Sequence, residues 1–159
     1  RSKEPAVLAQ YKPLATVVAE ADTKDVERFA KQLMEARAPV IAAGKGVIRQ
    51  GALRELSELA LKLQAPVICA QDTIGVIPEA HPFFAGHFSP LRNHPLCVEA
   101  LAKTDLILGI GLRAGAAEIT DLRSCAPERN MILVGFDDAR DARYQGNDEC
   151  VAEIGRAHV

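Results

Sequence analysis

The sequence predicts a three-layer α/β domain in which a doubly wound parallel sheet of about six strands carries helices on both faces. Three observations predict it. Short apolar runs without polar alternation recur along the chain (VIAA, PVICA, LILGIG, MILVGF), as they do in strands covered on both sides. Segments of helical period separate most of them. Finally, APVIAA at 38–43 returns as APVICA at 65–70, 27 residues later. That spacing is about one strand, one crossover helix and a turn, so the echo marks successive units of one parallel sheet with right-handed crossovers rather than a solenoid. The architecture is Rossmann-like.

Each element has its own signal. The opening stretch RSKEPAVLAQYKPLATVVAEA starts with Arg1, contains two prolines and sustains no period, and reads as a linker or extended segment, residues 1–21, cut from something longer. From Asp22 the pattern is helical, with Val26, Phe29, Ala30, Leu33 and Met34 on one face and Asp22 or Thr23 as the cap. Pro39 ends that helix and opens the first strand. A second helix is expected from about Gln50, with Leu53, Leu56, Leu59, Ala60 and Leu63 facing the core, until Pro66 stops it. The strand PVICA follows. Residues 71–90, QDTIGVIPEAHPFFAGHFSP, then read as a long loop, of the kind that is functional or packs on a neighbour. A short helix is expected over 95–103, strands over 106–111 and 131–136, a helix near 116–124 between them, and a last strand over 149–154. Residues 22–159 would thus form one domain.

Bulk properties exclude several classes of function. The chain has 159 residues, is 48% hydrophobic and 25% charged, and carries a formal net charge of -2 from 19 basic and 21 acidic residues with no run of like sign. Such a surface gives no electrostatic footprint for nucleic acid or an anionic membrane. Its longest apolar stretch, Leu106 to Leu112, covers under half of the roughly 20 residues a membrane helix needs, so a soluble, cytoplasmic domain is expected. The four cysteines, Cys69, Cys97, Cys125 and Cys150, form no Cys-x-x-Cys pair and read as reduced, buried thiols.

In open parallel sheets ligands settle outside the carboxyl ends of the strands, which directs attention to loops 44–51, 71–88, 111–118 and 136–146. Gly44, Gly46 and Gly51 follow the first strand. A dinucleotide fingerprint would need a glycine where Arg49 stands, and a P-loop would need Ser or Thr after a Gly-Lys pair, whereas Lys45 is followed by Gly46 and Val47. What survives is a glycine turn that brings backbone close to a ligand and points helix amides at it. Arg113, Asp137, Asp138, Gln71 and Asp72 stand just after strands, where an arginine can pair with phosphate and an acid with ribose hydroxyls. Solvated loop residues of no function are the competing reading. His81, His87 and His94 match no compact zinc spacing, and Glu79 beside Pro78 reads as loop structure rather than proton chemistry.

The order of motifs carries more than any one of them. ARAPVIAAGKGVIRQGALRELSELALKLQAPVICAQDTIGVIPEAHPFFAGHF, then LAKTDLILGIGLR and MILVGFDD, resembles the central domain of thiamine-diphosphate-dependent enzymes of the acetolactate synthase and decarboxylase type, over about 22–154. The resemblance implies a Rossmann-like domain between pyrimidine-binding and diphosphate-binding neighbours, in a parent enzyme that acts on 2-oxo acids or related substrates and is a homo-oligomer. It implies that thiamine diphosphate and magnesium are held by those neighbours, that this domain has no catalytic or metal-ligating residue, and that the isolated chain is inactive. In some relatives this domain holds FAD or an adenine nucleotide such as ADP. Carried over residue by residue, that site would use Gly44, Lys45, Gly46, Arg113 and Asp137. Two departures weigh against FAD: Ala114-Gly115-Ala116-Ala117 follows Arg113 where flavin-binding relatives have an acidic, aromatic stretch, and Lys45 stands in place of a frequent glycine. If the domain is part of a larger assembly, apolar surface is expected around Phe83, Phe84 and Phe88.

Overall fold

The computed structural model describes residues 23–89, 91, 93–112, 117–135 and 149–152. Their order is α1 (Thr23–Glu35), β1 (Pro39–Ala43), α2 (Lys45–Arg49), α3 (Leu53–Leu63), β2 (Val67–Ala70), β3 (Phe84–Phe88), α4 (Pro95–Lys103), β4 (Leu106–Ile110), α5 (Ala117–Cys125), β5 (Asn130–Gly135) and β6 (Glu149–Ala152). The six strands form one sheet in the order β3-β2-β1-β4-β5-β6. Every neighbouring pair is parallel, including the twin Ala-Pro-Val segments, where Ile41 lies opposite Val67. The strand order reverses between β1 and β4, so the two central strands bracket the topological switch point.

Alternate side chains of the same strands feed two cores, which is why the runs are apolar without a break. On one face Ile41, Ala43, Val67, Cys69, Leu106, Leu108 and Ile132 pack with Phe29 of α1 and with Leu56 and Ala60 of α3. On the other, Val40, Ala42, Ile68, Ile107, Met131 and Leu133 pack with Cys97 and Leu101 of α4 and Leu122 of α5. Full burial of one such aliphatic side chain stabilises the fold by about 1.5–3 kcal/mol. Two polar clips set the register at the amino edge. The Thr104 hydroxyl donates to the Ala38 carbonyl at 2.8 Å, and the Asp105 carboxylate accepts from the Arg37 and Ala38 amides at 2.8 and 3.1 Å.

The structure departs from the sequence expectations in four places. Residues 84–88 are not loop but β3, the edge strand, paired to β2 with a register shift between Val67 and Cys69. FAGHF has a glycine in its middle and no β-branched residue, so its two phenylalanines alone did not mark it as a strand. The helix expected from about Gln50 begins at Leu53 as α3, and a separate short helix, α2, occupies the glycine turn before it; Gly51, at φ 66°, stands between the two. The helical stripes are narrower than their periodicity: Val26, Ala30 and Met34 of α1 and Leu53 of α3 are exposed, and Phe29, Leu33, Leu56 and Ala60 make the core contacts. Phe88 is 1% exposed rather than an apolar surface residue, while Phe83 and Phe84 are half-buried. The large apolar side chains at the surface are others, led by Leu91, Ile74 and Met34. The expected linker at 1–21 lies outside the described residues, as do Arg113, Asp137 and Asp138.

Candidate functional site

At the carboxyl edge the turn after β1 is closed by the turn after β4. Gly44 donates its amide to the Ile110 carbonyl at 2.8 Å and Gly46 donates to the Gly111 carbonyl at 2.9 Å, while Gly111 donates to Val134 at 2.7 Å. Backbone touches backbone here. A Cβ on Gly44 would lie 2.4 Å from the Gly111 carbonyl oxygen, and one on Gly111, which has φ +64°, would lie 2.6 Å from the Val47 nitrogen. The glycines are therefore required by the approach of two protein loops, a requirement that needs no ligand. The Val47 amide also turns inward, to the Gly44 carbonyl at 3.3 Å.

The turn after β2 approaches from the other side. Thr73, 1% exposed, fixes it: its hydroxyl donates to the Ala70 carbonyl at 2.5 Å and lies 3.4 Å from the Ala43 carbonyl at the end of β1. This places Asp72 against Lys45, and the two side chains form an ion pair between the β1 and β2 turns. Of the residues that the sequence brought forward for a ligand, Gly44, Lys45, Gly46 and Asp72 meet at one edge. The sequence did not single out Gly111 or Thr73. Gly111 closing the run LILGIG was the available signal for the first; nothing but the fold marks the second.

The remaining candidates have structural positions. Burial, and next to it the charge of a neighbouring thiol, push Cys69 and Cys97 up to about 12. At that value neither is a nucleophile near neutral pH. His94 caps α4, its Nδ1 accepting from the Leu96 amide at 3.3 Å, and His81 Nδ1 accepts from the Phe83 amide at 3.2 Å. His87 packs edge-on against Phe84, with ring centroids 5.7 Å apart. Glu79 is exposed on its loop. Among the described residues, no three His, Cys, Asp or Glu side chains gather where a metal ion could be held. No helix among the described residues is long and apolar enough to cross a membrane.

Comparison with known proteins gives a consistent result. The family model described as thiamine pyrophosphate enzyme, central domain, matches residues 26–157. The chain is 30% identical over 132 residues to the acetolactate synthase large subunit of Corynebacterium glutamicum, covering 83% of this chain and 20% of that protein. It is 33% identical over 133 residues to the glyoxylate carboligase of Escherichia coli, covering 84% of this chain and 22% of that one. Among solved structures, benzoylformate decarboxylase from Polynucleobacter necessarius superposes with a TM-score of 0.67 at 21% identity, over 91% of this chain and 27% of that chain, a likeness of fold. The chain spans about a fifth of the length of the two relatives.

Proposed function

Because this chain belongs to the family of thiamine pyrophosphate enzyme central domains, we propose that it is the non-catalytic middle domain of a longer thiamine-diphosphate-dependent enzyme acting on 2-oxo acids or related substrates. Its role is that of a scaffold: residues 22–159 hold pyrimidine-binding and diphosphate-binding neighbours in place, with 1–21 as the connecting segment, in a cytoplasmic homo-oligomer. One observation carries the scaffold reading. The turn at the switch point is sealed by protein against protein, through Gly44, Gly46 and Gly111, and its lysine is matched by Asp72.

The described residues gather no set of side chains that fits the magnesium ion of such an enzyme. Thiamine diphosphate supplies carbanion chemistry where it is bound. This chain would supply the frame. The second reading, FAD or an adenine nucleotide held by Gly44, Lys45, Gly46, Arg113 and Asp137, is favoured by where the glycine turn lies, at the carboxyl edge beside the strand-order reversal. Against it, three amides of that turn already donate to carbonyls. Purified chain should show no flavin absorbance, no turnover of 2-oxo acids, and no thermal shift with FAD, ADP or coenzyme A. A gain of several degrees with any of these ligands would replace the scaffold reading with the second.

A further inference from the structure

We propose that Asp72 is a specificity-determining residue that turns the carboxyl edge of β1 and β2 against phosphate-bearing ligands. The inference rests on the scaffold reading and deepens it, by naming what keeps anions off the lysine of an edge whose turn amides are already taken up by carbonyls. A phosphate at this edge would need N–H donors and a cation. The amides of Gly44, Gly46 and Val47 donate to carbonyls of Ile110, Gly111 and Gly44. Lys45 is the cation on the turn, and the Asp72 carboxylate occupies its ammonium group. Asp72 thus stands in the place of the ligand's own anion.

Two features make this pair different from an ordinary surface contact. Both backbones that carry it are fixed, Lys45 by the Gly44–Gly111 contact on one side and Asp72 by the buried Thr73 on the other. Fixed backbones keep the two charged groups within reach of each other, although the exposed side chains still give up rotamer freedom when they pair. An incoming phosphate also meets a carboxylate that cannot withdraw with its loop. It must both displace Asp72 from Lys45 and sit beside its negative charge, and like charges at such a distance repel.

The test compares the full chain with Asp72→Asn, Asp72→Ala and the double variant Asp72→Asn/Lys45→Ala, titrated with pyrophosphate and with ADP by calorimetry at low ionic strength. Removing the carboxylate should tighten pyrophosphate binding by about two- to fivefold relative to wild type, and the added Lys45→Ala change should cancel the gain. Lys45 should also become severalfold more reactive toward acylating reagents in both single variants, measured by mass spectrometry. Affinity unchanged in both single variants, or a gain that persists without Lys45, overturns the proposal. Asp72→Ala covers the case in which the asparagine amide keeps a hydrogen bond to Lys45. The scaffold reading fails separately, if wild-type chain itself binds ADP at micromolar concentration; the ratio of variant to wild type still decides the role of Asp72.

Discussion

At Gly44 and Gly111 the side chain is a hydrogen atom, and the distances leave room for nothing larger. A methyl on Gly44 would stand 2.4 Å from a carbonyl oxygen of the facing turn, which is backbone and cannot swing aside. Gly44→Ala should therefore destabilise the chain by about 3 kcal/mol, read from the midpoint of urea unfolding. Gly111→Ala adds the cost of a left-handed φ to a similar clash and should be at least as damaging. A second residue-level expectation concerns pH. The Arg37 amide, together with that of Ala38, holds the Asp105 carboxyl below its ordinary value of 3.8, against a smaller opposing effect of burial. A carboxyl lowered in the folded state contributes stability that is present above the unfolded value and is lost as pH falls through the folded one. Wild type should exceed Asp105→Ala by about 1 kcal/mol at neutral pH, a figure reduced for the exposure of the group. The gap should close below about pH 4 in urea titrations. Thiol reactivity offers a third test: with Cys69 and Cys97 pushed up to about 12, both should resist a disulfide reagent at pH 8 until the chain unfolds.

Among the elements, those that were legible in the sequence were the ones whose signal is local. The span expected for α4, 95–103, is the span observed, with Pro95 at its first turn, and the apolar runs at 39–43, 67–70 and 106–110 were strands because no other short element is apolar on both faces. β3 was missed for the opposite reason. As an edge strand it needs less apolar character, and what makes FAGHF a strand is its pairing with β2 and the packing of Phe88 beneath it, neither of which is local. α1 and α3 were placed well but their buried faces were overestimated, since periodicity reports which residues share a face and not how wide the neighbouring sheet is. α3 also ends in a way that no periodicity shows: Gln64, its C-cap, takes φ 50°, the left-handed region that glycine occupies without penalty. Gln64→Gly should therefore raise stability by about 0.5–1 kcal/mol and be visible as a higher melting temperature. A loss of the same size would mean that the Gln64 side chain makes a compensating contact.

At the scale of the whole molecule, the site was legible only as far as its topology. The rule that ligands sit at the carboxyl ends of parallel strands led to four loops, among them the turn holding Gly44, Lys45 and Gly46, but the sequence could not tell that this turn would be sealed, because the partner that seals it, Gly111, lies far along the chain and arrives through the β1–β4 pairing. The same pairing determines how stability is distributed. β1 and β4 lie at the centre of the sheet, flanked by strands on both sides and covered on both faces, and they are joined additionally by the Thr104 and Asp105 clips and by the glycine contact at the opposite edge. β3, by contrast, has one strand neighbour and an irregular register. Amides inside β1 and β4 can exchange only by opening the domain as a whole, whereas those of β3 can be released by local separation from β2. Native-state hydrogen exchange should then rank Ile41, Ala42, Ile107 and Leu108 slowest and the amides of Ala85 and His87 faster by at least about tenfold. Equal protection in β3 and β1 would mean that the sheet opens as one unit from edge to centre. That result would place its mechanical weak point in the helices instead.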